Sequence, residues 1–137
     1  MKKILYILIA VAFATSCDKV YINGDLDGMW HLESVTYPDH TATPDMVFYS
    51  FQRHLAQVSE HHSTDLPKRF LCDLTYTGST LIMSNFHHFP YEAATMETEM
   101  LAPFHIFSDT IIFEILTLNE ECLIIKSEER VYTLRKW

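Results

Sequence analysis

Apolar and polar side chains alternate in short runs along most of the chain. A strand points successive side chains to opposite faces, so alternation marks strands with one buried side. Met29–Tyr37 (MWHLESVTY) reads as the first strand. Met46–Gln57 opens with VFYSF and continues through LAQV, which predicts one long or bent strand. Arg69–Thr77 places Phe70, Cys72, Leu74 and Tyr76 on one face and Asp73, Thr75 and Thr77 on the other. Thr77-Gly78-Ser79 is a turn, and Thr80–Ser84 returns from it as the second arm of a hairpin. Thr110–Leu118 turns Ile111, Phe113 and Ile115 one way. Asn119-Glu120-Glu121 and Glu128-Glu129 then separate Cys122–Ser127 and Arg130–Lys136, completing a meander. Residues 85–107 hold Pro90 and Pro103, and Glu92–Leu101 is open between strand and helical turn. No strand–helix–strand alternation appears, so a parallel sheet is not expected. Seven or eight short antiparallel strands predict a small barrel or sandwich.

The first residues follow a different pattern. Lys2 and Lys3 precede an uncharged apolar run, Ile4 to Phe13, closed by Ala14, Thr15, Ser16 and Cys17. That run falls short of the roughly 20 residues that a bilayer-spanning helix needs. Charge, apolar run and small residues in this order are those of a secretory signal peptide. Ala14-Thr15-Ser16-Cys17 further resembles a bacterial lipobox. The resemblance implies that residues 1–16 are removed and that Cys17 becomes a lipidated first residue. Two or three acyl chains would hold the protein stably at a membrane surface. Residues 17–27 would be the tether, and 28–137 the folded domain.

Composition narrows the function classes. The chain has 137 residues, 48% of them apolar, which suits one domain with a packed core. Ten Lys and Arg stand against 18 Asp and Glu, a formal charge of −8. Loss of residues 1–16, with two lysines and no acid, leaves 121 residues and a charge of −10. A nucleic-acid partner is not expected, because phosphate neutralisation needs a basic face. Anionic headgroups would repel such a domain, so membrane affinity must come from the lipid on Cys17. With three Gly and three Cys, glycine-rich phosphate loops and multi-cysteine zinc sites are mostly excluded by count.

Leu26–Leu32 reads LDGMWHL, and Gly28-x-Trp30 at the start of the first strand resembles the Gly-x-Trp signature of lipocalins. The last 24 residues, EILTLNEECLIIKSEERVYTLRKW, are similar to the end of lipocalin-like bacterial lipoproteins. The resemblance implies an all-β, up-and-down barrel of about eight antiparallel strands. It implies that Gly28 permits a close chain approach, that Trp30 plugs one end of the core, and that Arg135 lies over that indole as a cation–π partner. A lipocalin-like interior would bind a small apolar ligand through residues such as Tyr49, Phe51, Leu74, Tyr76, Phe113 and Tyr132. The domain is shorter than ligand-carrying lipocalins, which predicts a smaller and more filled interior.

The remaining chemistry is sparse. Eight histidines include the pairs His61-His62 and His87-His88, but adjacent strand residues face opposite ways and no HExxH or H-x-H spacing occurs. The simplest expectation is solvated histidines and no bound metal; a cross-loop site aided by Glu60 or Asp65 is the alternative. Cys72 and Cys122 can form a disulfide in an oxidising compartment or stay as two buried thiols. No nucleophile motif or carboxylate pair stands out, so neither an enzyme nor a cofactor is expected. Phe86, Phe89, Tyr91, Phe104 and Phe107 suggest a lid over a barrel mouth, a protein-binding patch, or plain packing of a loop on the core. Trp137 also permits comparison with outer-membrane barrels, but 121 mature residues, with Arg135 sharing the parity of Trp137, fit eight lipid-spanning strands poorly. The expected protein is a non-enzymatic, lipid-anchored, lipocalin-like barrel at the outer membrane of a Gram-negative envelope. It would bind a small apolar ligand or, with a filled core, act through another envelope protein.

Overall fold

A computed structural model of the chain describes residues 22–61, 68–89 and 96–137. The expected signal peptide, lipobox and lipidated Cys17 lie outside the described residues, as do His62, Pro90 and Tyr91. The strands are β1 (Gly28–Thr36), β2 (Thr41–Ala42), β3 (Val47–Gln52), β4 (Leu55–Glu60), β5 (Lys68–Tyr76), β6 (Thr80–His88), β7 (Thr110–Leu118), β8 (Cys122–Ser127) and β9 (Arg130–Lys136). Each long strand pairs antiparallel with the next, and β1 closes the sheet on β9. The result is an all-β, closed eight-stranded up-and-down barrel, with β2 folded back on the upper end of β1.

Alternation predicts the faces of most strands. Phe70, Cys72 and Leu74 point inward and are buried, as are Ile111 and Phe113. Outward positions are mostly polar, among them Ser50, Gln57, Asp73, Thr75, Glu114, Lys126 and Arg135. A barrel embedded in lipid needs an apolar outer band, the reverse of this arrangement. Bulges keep the inward face apolar where strict alternation would break it. In β1 the register shifts between Leu32 and Ser34, so Leu32 and Val35 are both buried. In β6, Asn85 takes a left-handed conformation (φ 57°), and Met83 and Phe86 both turn inward.

Two sequence expectations change. Residues 46–57 do not form one strand: β3 and β4 are a hairpin joined at Arg53-His54, with Gln52 opposite Leu55. Arg53 adopts φ 56°, a conformation usually signalled by Gly or Asn. Nor is the whole of 17–27 a tether. Asn23 precedes a 3-10 turn (Gly24–Leu26) that folds under the barrel with Leu26 fully buried. The Trp30 Nε1–H donates to the Leu26 carbonyl at 2.8 Å. The Asn23 amide reaches Asp27 and the Arg53 carbonyl, both at 2.8 Å, tying this turn to the β3–β4 hairpin.

The lower end depends on Gly28. Its φ is 127°, and a Cβ there would meet Cε and Nζ of Lys136 at 3.0 Å. The positive φ is what calls for glycine, and a side chain there would also press on the end of Lys136. Lys136, paired in register with Trp30, sets its ammonium 4.4 Å from the indole centroid. It also donates to the carbonyls of Asp25 (2.9 Å) and Asp27 (2.5 Å). Arg135, expected over the indole, instead faces outward and pairs with Glu33 at 3.0 Å. The reason is strand parity: Lys136 shares the inward face of Tyr132 and Leu134, and Arg135 does not.

Candidate functional site

The upper end of the barrel is covered by the connection between β6 and β7. It includes a 3-10 helix (Thr98–Phe104) that ends where His105 turns left-handed (φ 60°). Leu101, Phe104 and Ile106 are fully buried in the barrel core, while Met100 and Phe107 stay exposed. Of the aromatics expected in this region, Phe104 serves in the plug, whereas Phe89 and Phe107 are exposed. Thr98 donates to Asp109 at 2.5 Å and holds the two ends of the segment together.

Three tyrosines from the barrel wall fasten this plug. The Tyr49 hydroxyl donates to the Phe104 carbonyl at 2.5 Å, and the Tyr132 hydroxyl to the His105 carbonyl at 2.6 Å. Tyr37 lies 2.6 Å from Nδ1 of His105. Burial pushes the Tyr49 hydroxyl well above its usual range. Burial also raises Tyr132 to about 12, against the opposing influence of Arg130. Both groups are thus neutral donors near neutral pH, suited to holding an acceptor and poorly suited to proton transfer. The His105 pKa is lowered, first by burial and then by Arg130 and His40. Burial raises that of Tyr37. A neutral ring accepting the Tyr37 proton at Nδ1 accounts for the short contact.

The six residues expected to line a ligand pocket are Tyr49, Phe51, Leu74, Tyr76, Phe113 and Tyr132. All belong to the packed core, with Tyr76 only partly buried against it. Phe113 packs edge-on to Tyr132 at 5.0 Å. Tyr49 and Tyr132 are occupied by the plug. Open space lies elsewhere. A cleft of about 490 Å³ runs between the plug and β5–β6, lined by Lys68, Arg69, Phe70, His88, Phe89, Glu99, Met100 and Pro103. A larger groove, about 690 Å³, lies at the lower end around Met29, Ser50, Gln57 and Leu71 on the outer sheet face. The upper cleft combines apolar walls with charged donors, as ligand sites commonly do.

The cleft and the plug contacts were not legible as a site. Arg130 could have been found by parity, being a cation on the inward side of a strand with Tyr132 and Leu134. Lys68, Arg69 and His88 carry no such signal, because only the plug makes a pocket beside them. No described histidine is buried, and His40 and His54 are exposed, while several rest against aromatic rings. His31 and His61 flank Phe48 on the outer wall, His40 stacks on Tyr37, and His88 packs on Phe70. Among the described residues no three His, Cys, Asp or Glu side chains gather to hold a metal. Cys72 and Cys122 are both free thiols, the first inside the barrel and the second on its outer face. Only Cys72 is buried.

A family model described as a lipocalin-like domain matches residues 11–137. Among solved structures, the chain is similar to a lipocalin-like protein from Bacteroides uniformis, at 21% identity and a TM-score of 0.67. That match covers 83% of this chain and 100% of the other. An uncharacterized protein from Bacteroides eggerthii matches at 16% identity and a TM-score of 0.67, covering 82% of this chain and 99% of the other. No curated protein matches.

Proposed function

The chain belongs to the lipocalin-like domain family, and from that premise we propose that it is a lipid-anchored, non-enzymatic envelope protein that binds a small apolar or amphipathic molecule at its upper rim. The observation that carries the binding part is the plug. Leu101, Phe104 and Ile106 fill the barrel mouth as a ligand's apolar body would, and two neutral tyrosine donors hold their backbone acceptors. An open apolar cleft adjoins that seat. Anchoring rests on the lipobox residues Ala14–Cys17, and the outer membrane is the proposed address.

The binding test is titration with the neutral fluorophore N-phenyl-1-naphthylamine. One saturable site is expected, with tighter binding when Tyr49→Phe loosens the plug. No saturable site in either protein overturns the reading. For the anchor, an alkyne-bearing fatty acid fed to the host should label the wild-type protein and not Cys17→Ser. A second reading, a filled-core lipoprotein that acts on another envelope protein, is favoured by one feature. The outer-wall cluster of Phe48, His31 and His61 carries Trp137 at 70% exposure.

A further inference from the structure

The lower end of the barrel gathers exposed apolar side chains at one corner. Ile22 before the first turn, Leu55 beside the β3–β4 tip and Trp137 after β9 are each half or more exposed. Met29 and Leu71, half-buried, share with Leu55 the outer groove of this end. Backbone contacts hold the corner together. The Trp137 amide donates to the Met29 carbonyl at 2.9 Å, and the Asn23 side chain, next to Ile22, donates to the Arg53 carbonyl at 2.8 Å. Apolar side chains grouped at one exposed place mark a contact surface, whereas singly scattered ones do not. An indole with aliphatic neighbours, edged by the exposed Arg53 and His54, matches the mixed chemistry of a bilayer interface.

We infer that this corner rests in the headgroup region of the bilayer that holds the lipid on Cys17, with Trp137, Leu55 and Ile22 at the acyl boundary. The inference rests on the anchored reading above and adds the face that meets the membrane. Chain length selects the bilayer as the occupant. Five residue steps separate Cys17 from Ile22, at most about 18 Å fully extended. The nine residues of β1 rise about 26 Å along the strand, and about 20 Å along the axis of a barrel with ordinary strand tilt. The tether is thus too short to turn the upper rim onto the membrane, and it holds the lower end there instead. Charge agrees. Asp39, Asp45, Glu97, Glu99, Asp109 and Glu128 are exposed in the upper connections, which anionic headgroups repel. At the corner, Asp25, Asp27 and Asp73 are met by Arg53, Lys136 and, when protonated, His54. Ile112 and Leu116, exposed on β7 across the barrel, alternate with Glu114 and form no such corner. With the corner down, the plug and the cleft beside it open away from the bilayer, and a ligand reaches them through water.

The test adds the protein, purified from its host membrane in detergent, to preformed phosphatidylcholine vesicles whose acyl chains are plain or brominated near the headgroup. Bromine quenches tryptophan only at short range, and Trp137→Tyr reports the buried Trp30 alone. Trp137 emission should fall at least about twofold in the brominated vesicles, with little change in Trp137→Tyr. Leu55→Glu, at an exposed position, should restore most of that emission while the protein still floats with the vesicles. The same change at the exposed Ile112, across the barrel, should not. Flotation with Trp137 unquenched overturns the inference and leaves the anchor standing. Quenching that persists in Leu55→Glu overturns the placement of the corner. Failure to float removes the anchored reading and this one together. Trp137 shielded from iodide in host membranes but unquenched in vesicles assigns the corner to an envelope protein and also overturns the inference.

Discussion

Lys136 sits over Trp30, its ammonium 4.4 Å from the indole centroid and hydrogen-bonded to two carbonyls of the turn beneath the barrel. One side chain thus joins the last strand, the first strand and the segment that precedes it. Lys136→Ala should cost about 1–2 kcal/mol, from a cation–π contact and charge-assisted hydrogen bonds that are only partly shielded from water. Arg135→Ala, one residue earlier, should cost about 0.5 kcal/mol or less, because its pairing with Glu33 is exposed. Urea denaturation of the two variants checks the order, and a larger loss in Arg135→Ala would refute this account of the lower end.

Tyr49→Phe removes the donor to the Phe104 carbonyl and leaves that acceptor buried. A stability loss of about 1–3 kcal/mol is expected, concentrated in the plug. Hydrogen exchange should therefore speed up at Met100, His105 and Ile106, whose amides are held within or just after the 3-10 helix. Amides of the β8–β9 hairpin should change little. Uniform acceleration over the whole barrel would mean that plug and barrel open as one unit.

Acid should loosen the same segment. Burial, with Arg130 and His40, lowers the His105 pKa, so the unfolded chain binds the proton more readily than the folded one. This ring's contribution to stability is full above its ordinary pKa, about 6.5, and falls as pH drops from there toward the lowered folded value. An NMR titration of the His105 ring should give a midpoint below 6.5, and His105→Gln should flatten the stability profile in that range. A midpoint above 6.5 would contradict the burial described.

The two thiols should differ in reactivity. Burial pushes Cys72 up to about 12, whereas Cys122 lies partly exposed on the outer wall. In the Cys17→Ser protein at pH 8, a thiol reagent should modify Cys122 readily and Cys72 only after denaturant is added. Fast modification of both in the native state would place Cys72 outside the core.

Alternation alone specified most strands, because one buried face forces a period of two. The meander from Thr110 to Lys136 was legible residue by residue. The β3–β4 hairpin was not, since Arg53-His54 lacks the residues that announce a tight turn. Gly28 and Trp30 were legible as a pair, but the cation over the indole was assigned one residue early, where strand parity decides the matter. Tyr49 and Tyr132 were picked out as interior residues, while their partners were not visible. Those partners are backbone carbonyls more than 25 positions away.

What this sequence determines by itself is therefore local and periodic: which residues face inward and where most turns fall. Tertiary structure alone decided that residues 98–106 fill the barrel mouth and that a cleft opens beside Arg69. A plug is selected by the shape and the unpaired donors of a cavity that exists only after eight strands have closed. No pattern within residues 98–106 encodes that cavity, so the sequence could name its aromatics without saying where they go.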